Sequence, residues 1–592
     1  MEDNELDFSP LVCVHLLAAK FAFIFLHVGF AFIAVLDGYL STNALEGVLL
    51  SNIGQLVNLT RLDISSNKLH GSIPQSLWNL VNLGSLDLSN NSFNGLIPES
   101  LGQHVNMYHL DISSNKLDGI KFMEKGSRLI MPYLNLWYLN LSHNQISGSL
   151  PKYIGHIMPS LGDLYLGNNL LNGSIPISLC QSKFFTIDLS NNNLSGEIPN
   201  CWEDNQRLYE INLSSNKLEG TFPSSFGSLS SLLWLHLNNN SLKGELPGSL
   251  TNLKQLMILD LGDNQLSGNI PSSWTTYTFP SLHILRLRKN MLSGSIPSQI
   301  CQLKLLKVLD LSLNKLEGSI PWCIGNLQGM TLGKSSYKVN GKQPHKLIAK
   351  APSSVSINVP APPGLWSNQD VTEVMKGMEL EYTKILELVV NMDLSHNNLV
   401  GFIPNEITWL TGLHGLNLSK NQLKGEIPQM IGDMKSLESL DMSHNHLSGT
   451  IPNSMPYLTS LGHLNLSHNN LSGPIPKDNQ FLTFNDPSIY AYNPYLCGSP
   501  LPNMCHTGEI SHGTPESKGD EDDNEVEKVL FYFVIAVGFA TGLWGFIGTL
   551  WLKKNWRHAY FRWVEDVADK IYVAFVIKVA KIKKKMMRNH VH

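Results

Sequence analysis

One pattern, LxxLxLxxN, recurs along most of this chain and leaves few ways to fold it. Its asparagine stands at Asn67, Asn91, Asn115, Asn144, Asn169, Asn192, Asn216, Asn240, Asn264, Asn290, Asn314, Asn397, Asn421, Asn445 and Asn469. Successive spacings are 23 to 26 residues, except for 29 before Asn144 and 83 before Asn397, and a worn copy lies around Asn43. Self-similarity at such a period marks a solenoid, whose units are too small to bury a core alone and stack on their neighbours.

The physics of one unit reads from residues 59–74. Leu59, Leu62, Ile64 and Leu69 are expected to point inward, with a short strand over 62–64 in which Asp63 alone faces solvent. The Asn67 amide, buried at the turn, suits backbone groups that the bend leaves unpaired. Gly71 permits unusual torsions on the return path and Pro74 fixes its own. One unit buries about seven aliphatic side chains, worth on the order of 10 to 20 kcal/mol, against about 24 or more for ordering its backbone. Stacking supplies the difference.

Charged residues make up only 15% of the chain, and a net charge of -5 gives no basic field that would draw nucleic acid. Six of the seven cysteines lie between Cys180 and Cys505. Cys180 and Cys201 follow Asn169 and Asn192 by 11 and 9 residues, and Cys301 and Cys323 follow Asn290 and Asn314 by the same intervals. Neighbouring coils bring such positions together, so the register predicts disulfides Cys180–Cys201 and Cys301–Cys323, with Cys497–Cys505 closing the end; buried free thiols are the alternative. Ten glycosylation sequons begin at Asn58, Asn90, Asn140, Asn172, Asn193, Asn212, Asn239, Asn417, Asn465 and Asn470, all inside the repeats.

The organisation that follows is an apolar segment 1–36, repeats over 37–328, an insertion over 329–388, repeats over 389–476 and a cap over 477–508. Beyond lie an acidic stretch 509–528, a transmembrane helix 529–552 and a basic tail 553–592. The insertion is a loop inside a repeat array, and long loops of that kind are usually functional or disordered. Residues 529–552 carry no charge over 24 positions, enough to cross a bilayer. Acidic residues precede them and Lys553, Lys554 and Arg557 follow, which orients the solenoid outside and the tail inside. The N-terminus is less regular: Glu2, Asp3, Glu5 and Asp7 replace a basic flank, and Lys20 interrupts the apolar run. It reads as an atypical signal peptide, an uncleaved anchor or the product of a truncated gene.

The recurring LxGxIP return, as in LHGSIP, LSGEIP and LKGELP, resembles the plant-specific class of extracellular leucine-rich repeats. From Asn314 onward the segments IPWCIGNLQGM, SLESLDMSHNHLSGTIPNSM, YLCGSPL and KKNWRHAYFRW resemble plant receptor-like proteins, most closely the subgroup that contains the fungal ethylene-inducing-xylanase receptors. The resemblance covers roughly residues 40–590. It implies an α/β-type repeat, a plant-type leucine-rich-repeat solenoid winding as a right-handed superhelix with short parallel strands, plus one transmembrane helix. It further implies a plasma-membrane receptor that perceives an apoplastic peptide or protein, a microbial elicitor first among them, and signals through adaptor and co-receptor leucine-rich-repeat receptor kinases. A developmental receptor for an endogenous peptide, a non-signalling decoy and a wall-enzyme inhibitor are the competing readings. The family's N-terminal cap, with paired Cys and a Trp, has no counterpart before Asn43, so the first coil is expected to expose apolar core.

No catalytic group, cofactor or metal site is expected. The tail lacks the Gly-rich loop, catalytic loop and DFG elements of a kinase. Asp63, Asp87, Asp111, Asp188, Asp260, Asp310, Asp393 and Asp441 read as a polar ladder that the repeat imposes rather than as a carboxylate array. For ligand binding the concave face offers Tyr108, His109, Tyr138, Tyr165, Trp234, His236, His283, Arg286 and Arg288 at positions expected to face solvent; aromatics and Arg are the usual interface anchors. No sequon begins between Asn239 and Asn417, which points ligand contact to the repeats at Asn240, Asn264, Asn290 and Asn314 together with the insertion. In the membrane helix Gly538, Gly542, Gly545 and Thr549 share one face and suit close packing against a partner helix. Residues 571–585 interleave Lys with apolar residues, as membrane lipid would favour, and Tyr572 to Phe575 fits an endocytosis motif of the resembled subgroup.

Overall fold

The computed structural model describes residues 37–97, 106–120, 135–331, 371–375, 378–382 and 388–505. The apolar segment 1–36, most of the insertion, the acidic stretch, the membrane segment with Gly538, Gly542, Gly545 and Thr549, and the tail with Tyr572 and Phe575 lie outside them. Among the described residues no helix is long and apolar enough to cross a membrane.

Sixteen short strands, from Asp37–Tyr39 to His463–Asn465, form one parallel sheet in sequence order. Each contributes three residues, as in Arg61–Asp63, which pairs in register with Ser85–Asp87. The strand therefore begins one residue earlier than its leucines suggest. Leu62 points into the core, and the period of two turns both Arg61 and Asp63 outward, so each strand presents two outward positions instead of one.

Inside, aliphatic side chains make a continuous core from Leu45 to Leu496. The asparagine ladder stitches its rim. Asn91 accepts from the Leu69 amide at 3.0 Å and donates to Ile64 oxygen of the preceding coil at 3.0 Å. It also donates to Leu88 and Ser89 oxygens in its own coil. One amide thus satisfies backbone groups from two coils, which is why its burial costs little. The ladder runs one unit past the sequence pattern: Asn493 accepts from the Leu471 amide and donates to Leu466 oxygen, both at 3.0 Å.

The LxGxIP return forms second parallel ladders, such as Lys68–Ser72 beside Ser92–Ile97. Gly71 sits there at φ +81°, where an L side chain is strained. Many returns end at a proline that starts a short 3-10 turn, as Pro74 does for Gln75–Asn79, whereas Pro176 starts the short α-helix Ile177–Cys180. The three cysteine pairs are bonded, with Cα–Cα distances of 5.7 Å for Cys180–Cys201, 5.7 Å for Cys301–Cys323 and 5.0 Å for Cys497–Cys505.

The insertion leaves the stack without opening it. Val308–Asp310 pairs directly with Asn391–Asp393, and the Leu316 amide reaches across to Asn397 Oδ1 at 3.0 Å. The 3-10 turns on either side touch so closely that a Cβ on Gly325 would collide with the main-chain oxygen of Glu406. Solenoid packing extends through Met330, which is fully buried and accepts from the Gly412 amide at 3.0 Å, beyond the boundary at 328. Within the insertion, Val371–Met375 and Met378–Tyr382 pair as an antiparallel hairpin.

Candidate ligand-binding face

The outward side of the sheet carries two lanes, one from the first residue of each strand and one from the third. The third-position carboxylates are tied into turns. Asp63 Oδ1 accepts from both the amide and the hydroxyl of Ser65, at 3.0 and 2.7 Å, closing the bend after the strand. The same Asx turn recurs at Asp87, Asp111, Asp310 and, with an amide in place of the acid, at Asn140, Asn212, Asn417 and Asn465. Among the described residues no group of His, Cys, Asp or Glu could hold a metal ion.

Three zones divide the face. In the first, the half-buried rings of His109, Tyr138 and Tyr165 lie side by side, and the half-buried Tyr108 precedes His109 in the chain. His109 stacks on Tyr138 with centroids 4.4 Å apart, and Tyr138 meets Tyr165 at 5.6 Å. Arg61 donates from Nε to the Tyr108 hydroxyl at 3.2 Å and from Nη1 to the Tyr39 hydroxyl at 3.1 Å, which raises its pKa further. Burial lowers the His109 pKa, keeping that ring neutral and suited to stacking.

The second zone corrects an expectation. The register expects Trp234, His236, Arg286 and Arg288 to face solvent, yet they are 6%, 4%, 2% and 7% exposed. Exposure of an outward residue depends on its lane neighbours, which lie a whole repeat away in sequence. Trp234, Ile258, Ile284 and Val308 occupy successive first positions and pack with Val389 into an apolar cluster. In the third-position lane beside it, Arg286 sits between Asp260 and Asp310, with Nη1 2.6 Å from Asp260 Oδ2 and Nε 3.6 Å from Asp310 Oδ2. Arg288 Nε is 3.9 Å from both Asp263 and Asp310 carboxylates. Burial and the adjoining Asp310 push the Asp393 carboxyl well above its usual range. His283 is half-buried with Nδ1 2.6 Å from Ser281 oxygen, and burial lowers its pKa to about 4. These residues form a closed ionic and apolar block rather than an open surface.

In the third zone the first-position lane becomes small and polar, with Asn391, Gly415 and Ser439. A groove of about 290 Å³ opens there, bordered by His396, Lys420, His444 and His463 and floored in part by Asn417, Asp441 and Asn465. In sequence the His residues of the LSHN turns show only that they lack metal-ligand spacing, because LSHN and LSKN turns differ from the ordinary repeat at one variable position. The signal was the run of His and Lys at that position after the insertion.

The sequon asparagines separate by place. Asn58, Asn90, Asn172, Asn193, Asn239 and Asn470 are exposed, whereas Asn140, Asn212, Asn417 and Asn465 are half-buried in the third-position lane.

Family models for the leucine-rich repeat match residues 206–266 and 413–471, and again 58–80, 82–104, 135–157, 184–205, 281–303 and 305–327. With the stacked parallel strands and the asparagine ladder, they define the chain as a leucine-rich-repeat solenoid. Over 213 residues it is 52% identical to Receptor-like protein EIX2 of Solanum lycopersicum, covering 36% of this chain and 21% of that protein. Over 110 residues it is 37% identical to Cuscuta receptor 1 of the same species, covering 18% and 10%. The chain is related to the plant leucine-rich-repeat receptor-like proteins, and among them to the EIX group. It spans about a fifth or less of the length of these relatives. Among solved structures, it is similar to a TDR receptor, with TM-score 0.63 and 27% identity over 81% of this chain and 70% of that one. It is also similar to the Arabidopsis receptor kinase HAESA ectodomain in complex with an IDA peptide hormone, with TM-score 0.60 and 31% identity over 78% and 66%.

Proposed function

We propose that the chain is a non-catalytic plasma-membrane receptor that binds an extracellular peptide or protein, a microbial elicitor first among candidates, and signals through partner receptor kinases. The observation that carries this is the ring-lined surface of His109, Tyr138 and Tyr165, where rigid aromatic faces stand half-exposed and already ordered against one another, with Tyr108 held by Arg61. Preordered aromatics give contact area at low entropic cost. Similarity to EIX2 and to a peptide-bound HAESA ectodomain supports a receptor role. The segment 529–552 would anchor it, with Gly538, Gly542, Gly545 and Thr549 against a partner helix and Tyr572 to Phe575 serving uptake. The peptide hormone held by HAESA favours an endogenous peptide as the second reading.

The test expresses the tagged full chain in plant tissue and challenges it with microbial extracts and, separately, with endogenous peptides. A response to the microbial extract, reduced at least about tenfold by Tyr138→Ala with Tyr165→Ala, is expected. An unglycosylated chain in the cytosol, or responses that ignore both substitutions, would overturn the reading.

A further inference from the structure

The residue before each ladder asparagine adopts φ near +50°, and these turns line one edge of the strand face. From Ser66 to Asn239 they read Ser66, Asn90, Ser114, His143, Asn168, Asn191, Ser215 and Asn239, a column without permanent charge. After the insertion the same column reads His396, Lys420, His444 and His468, followed by Tyr492, and it runs along the groove at Gly415. The rings are ordered: His444 stacks on His468 with centroids 3.9 Å apart and 13° between planes, and His468 stacks on Tyr492 at 4.1 Å.

We propose that this groove and its basic edge are a docking surface for an extended acidic peptide segment of a partner protein, separate from the ring-lined ligand surface. Three features fit that occupant. Gly415 sits where the second zone carries bulky side chains, so a backbone can approach the sheet there. The floor is polar rather than apolar, with Asn417, Ser439, Asp441, Ser443 and Asn465, as the main chain of a peptide requires. The edge supplies Lys420 as a cation, flanked one strand spacing away, about 4.8 Å, by His396 and His444, so the two imidazoles lie about 10 Å apart and span about three residues of an extended chain.

Charge supports the direction. Burial, with the neighbouring Lys420 and His468, holds the His444 pKa below its usual value, and burial with Lys420 and His444 does the same at His396; Asp441 opposes both. His463 also borders the groove. A carboxylate placed against this edge would favour the imidazolium forms, so docking should tighten as pH falls. Asn417 and Asn465 are sequons within the groove, and a glycan on either would fill it. Asn417 Nδ2 instead donates to Asp393 Oδ2 at 3.1 Å.

The test uses the purified full chain and a fluorescent ten-residue glutamate peptide, followed by anisotropy, with dextran sulfate as the competing polyanion. Binding is expected, tightening between about pH 7.5 and about pH 5.5 and weakening at least about tenfold in Lys420→Gln with His444→Gln. Removing equal or greater charge from the exposed Lys217 and Lys243, as Lys217→Gln with Lys243→Gln, should change affinity less than about twofold. Gly415→Leu, which refills the groove without altering charge, should weaken binding as the edge substitutions do. Binding of dextran sulfate alone, equal loss in both lysine-containing variants, or glycopeptide mapping that finds Asn417 or Asn465 occupied would overturn the proposal.

Discussion

Asn397 holds together two arms of a solenoid that are 83 residues apart in the ladder, and replacing it should separate them. Its Oδ1 accepts from the Leu316 amide at 3.0 Å, and its Nδ2 donates to Leu311 oxygen at 3.0 Å, to Ser395 oxygen at 3.1 Å and to Leu394 oxygen at 3.2 Å. The residue is 7% exposed, so water cannot replace these bonds without the coils parting. Asn397→Ala leaves at least one amide and one carbonyl across the junction unpaired, each costing about 1 to 3 kcal/mol, for a total of about 2 to 6 kcal/mol. In a stacked array stability is a sum of units and nearest-neighbour interfaces, so a weakened interface divides the cooperative unit. Calorimetry of the full chain should show one transition becoming two. Hydrogen exchange should show amides in 389–476 losing protection before those in 206–327. The comparison is Asn67→Ala, where the bonds to the Asn43 and Leu45 amides join only the outermost described coils, and fraying should stay local. A cost below about 1 kcal/mol for Asn397→Ala, or equal loss of protection in both arms, would refute the argument.

Two further substitutions probe the strand face. Burial raises the Asp163 carboxyl from 3.8 to about 6, so between those values the folded chain holds a proton that the unfolded chain has released. Stability present below the lower value is lost as pH rises through the upper one, by up to about 3 kcal/mol, and urea titrations of Asp163→Asn should show that slope removed. Arg286→Met should destabilise by about 3 to 5 kcal/mol, because Asp260 and Asp310 remain buried without it. Adding Asp260→Asn and Asp310→Asn should restore most of that loss in thermal melts.

The fold was legible because the leucines answer a local question, which side of one coil is inward, and fifteen repetitions answer it alike. Cysteine pairing was legible for the same reason, since register carries Cys180 to Cys201 and Cys301 to Cys323. Asn493 was missed because the cap around it lacks the flanking leucines, although its amide bonds repeat those of the ladder. The exposure of Trp234 and Arg286 was misjudged because it depends on Ile258, Asp260 and Asp310, residues that adjoin only after coiling. The groove at Gly415 depends likewise on what its lane lacks.

The Asx turn that ends many of the strands has one more implication. In LDIS and LNLS the acid and the amide accept the same two bonds from serine, as Asp111 and Asn140 do in adjoining strands. Only the second spells a sugar-attachment signal. A one-atom exchange, oxygen for nitrogen, therefore adds or deletes a potential oligosaccharide anchor while the backbone stays where it was, and the carbohydrate coat of such a scaffold is free to be redrawn coil by coil.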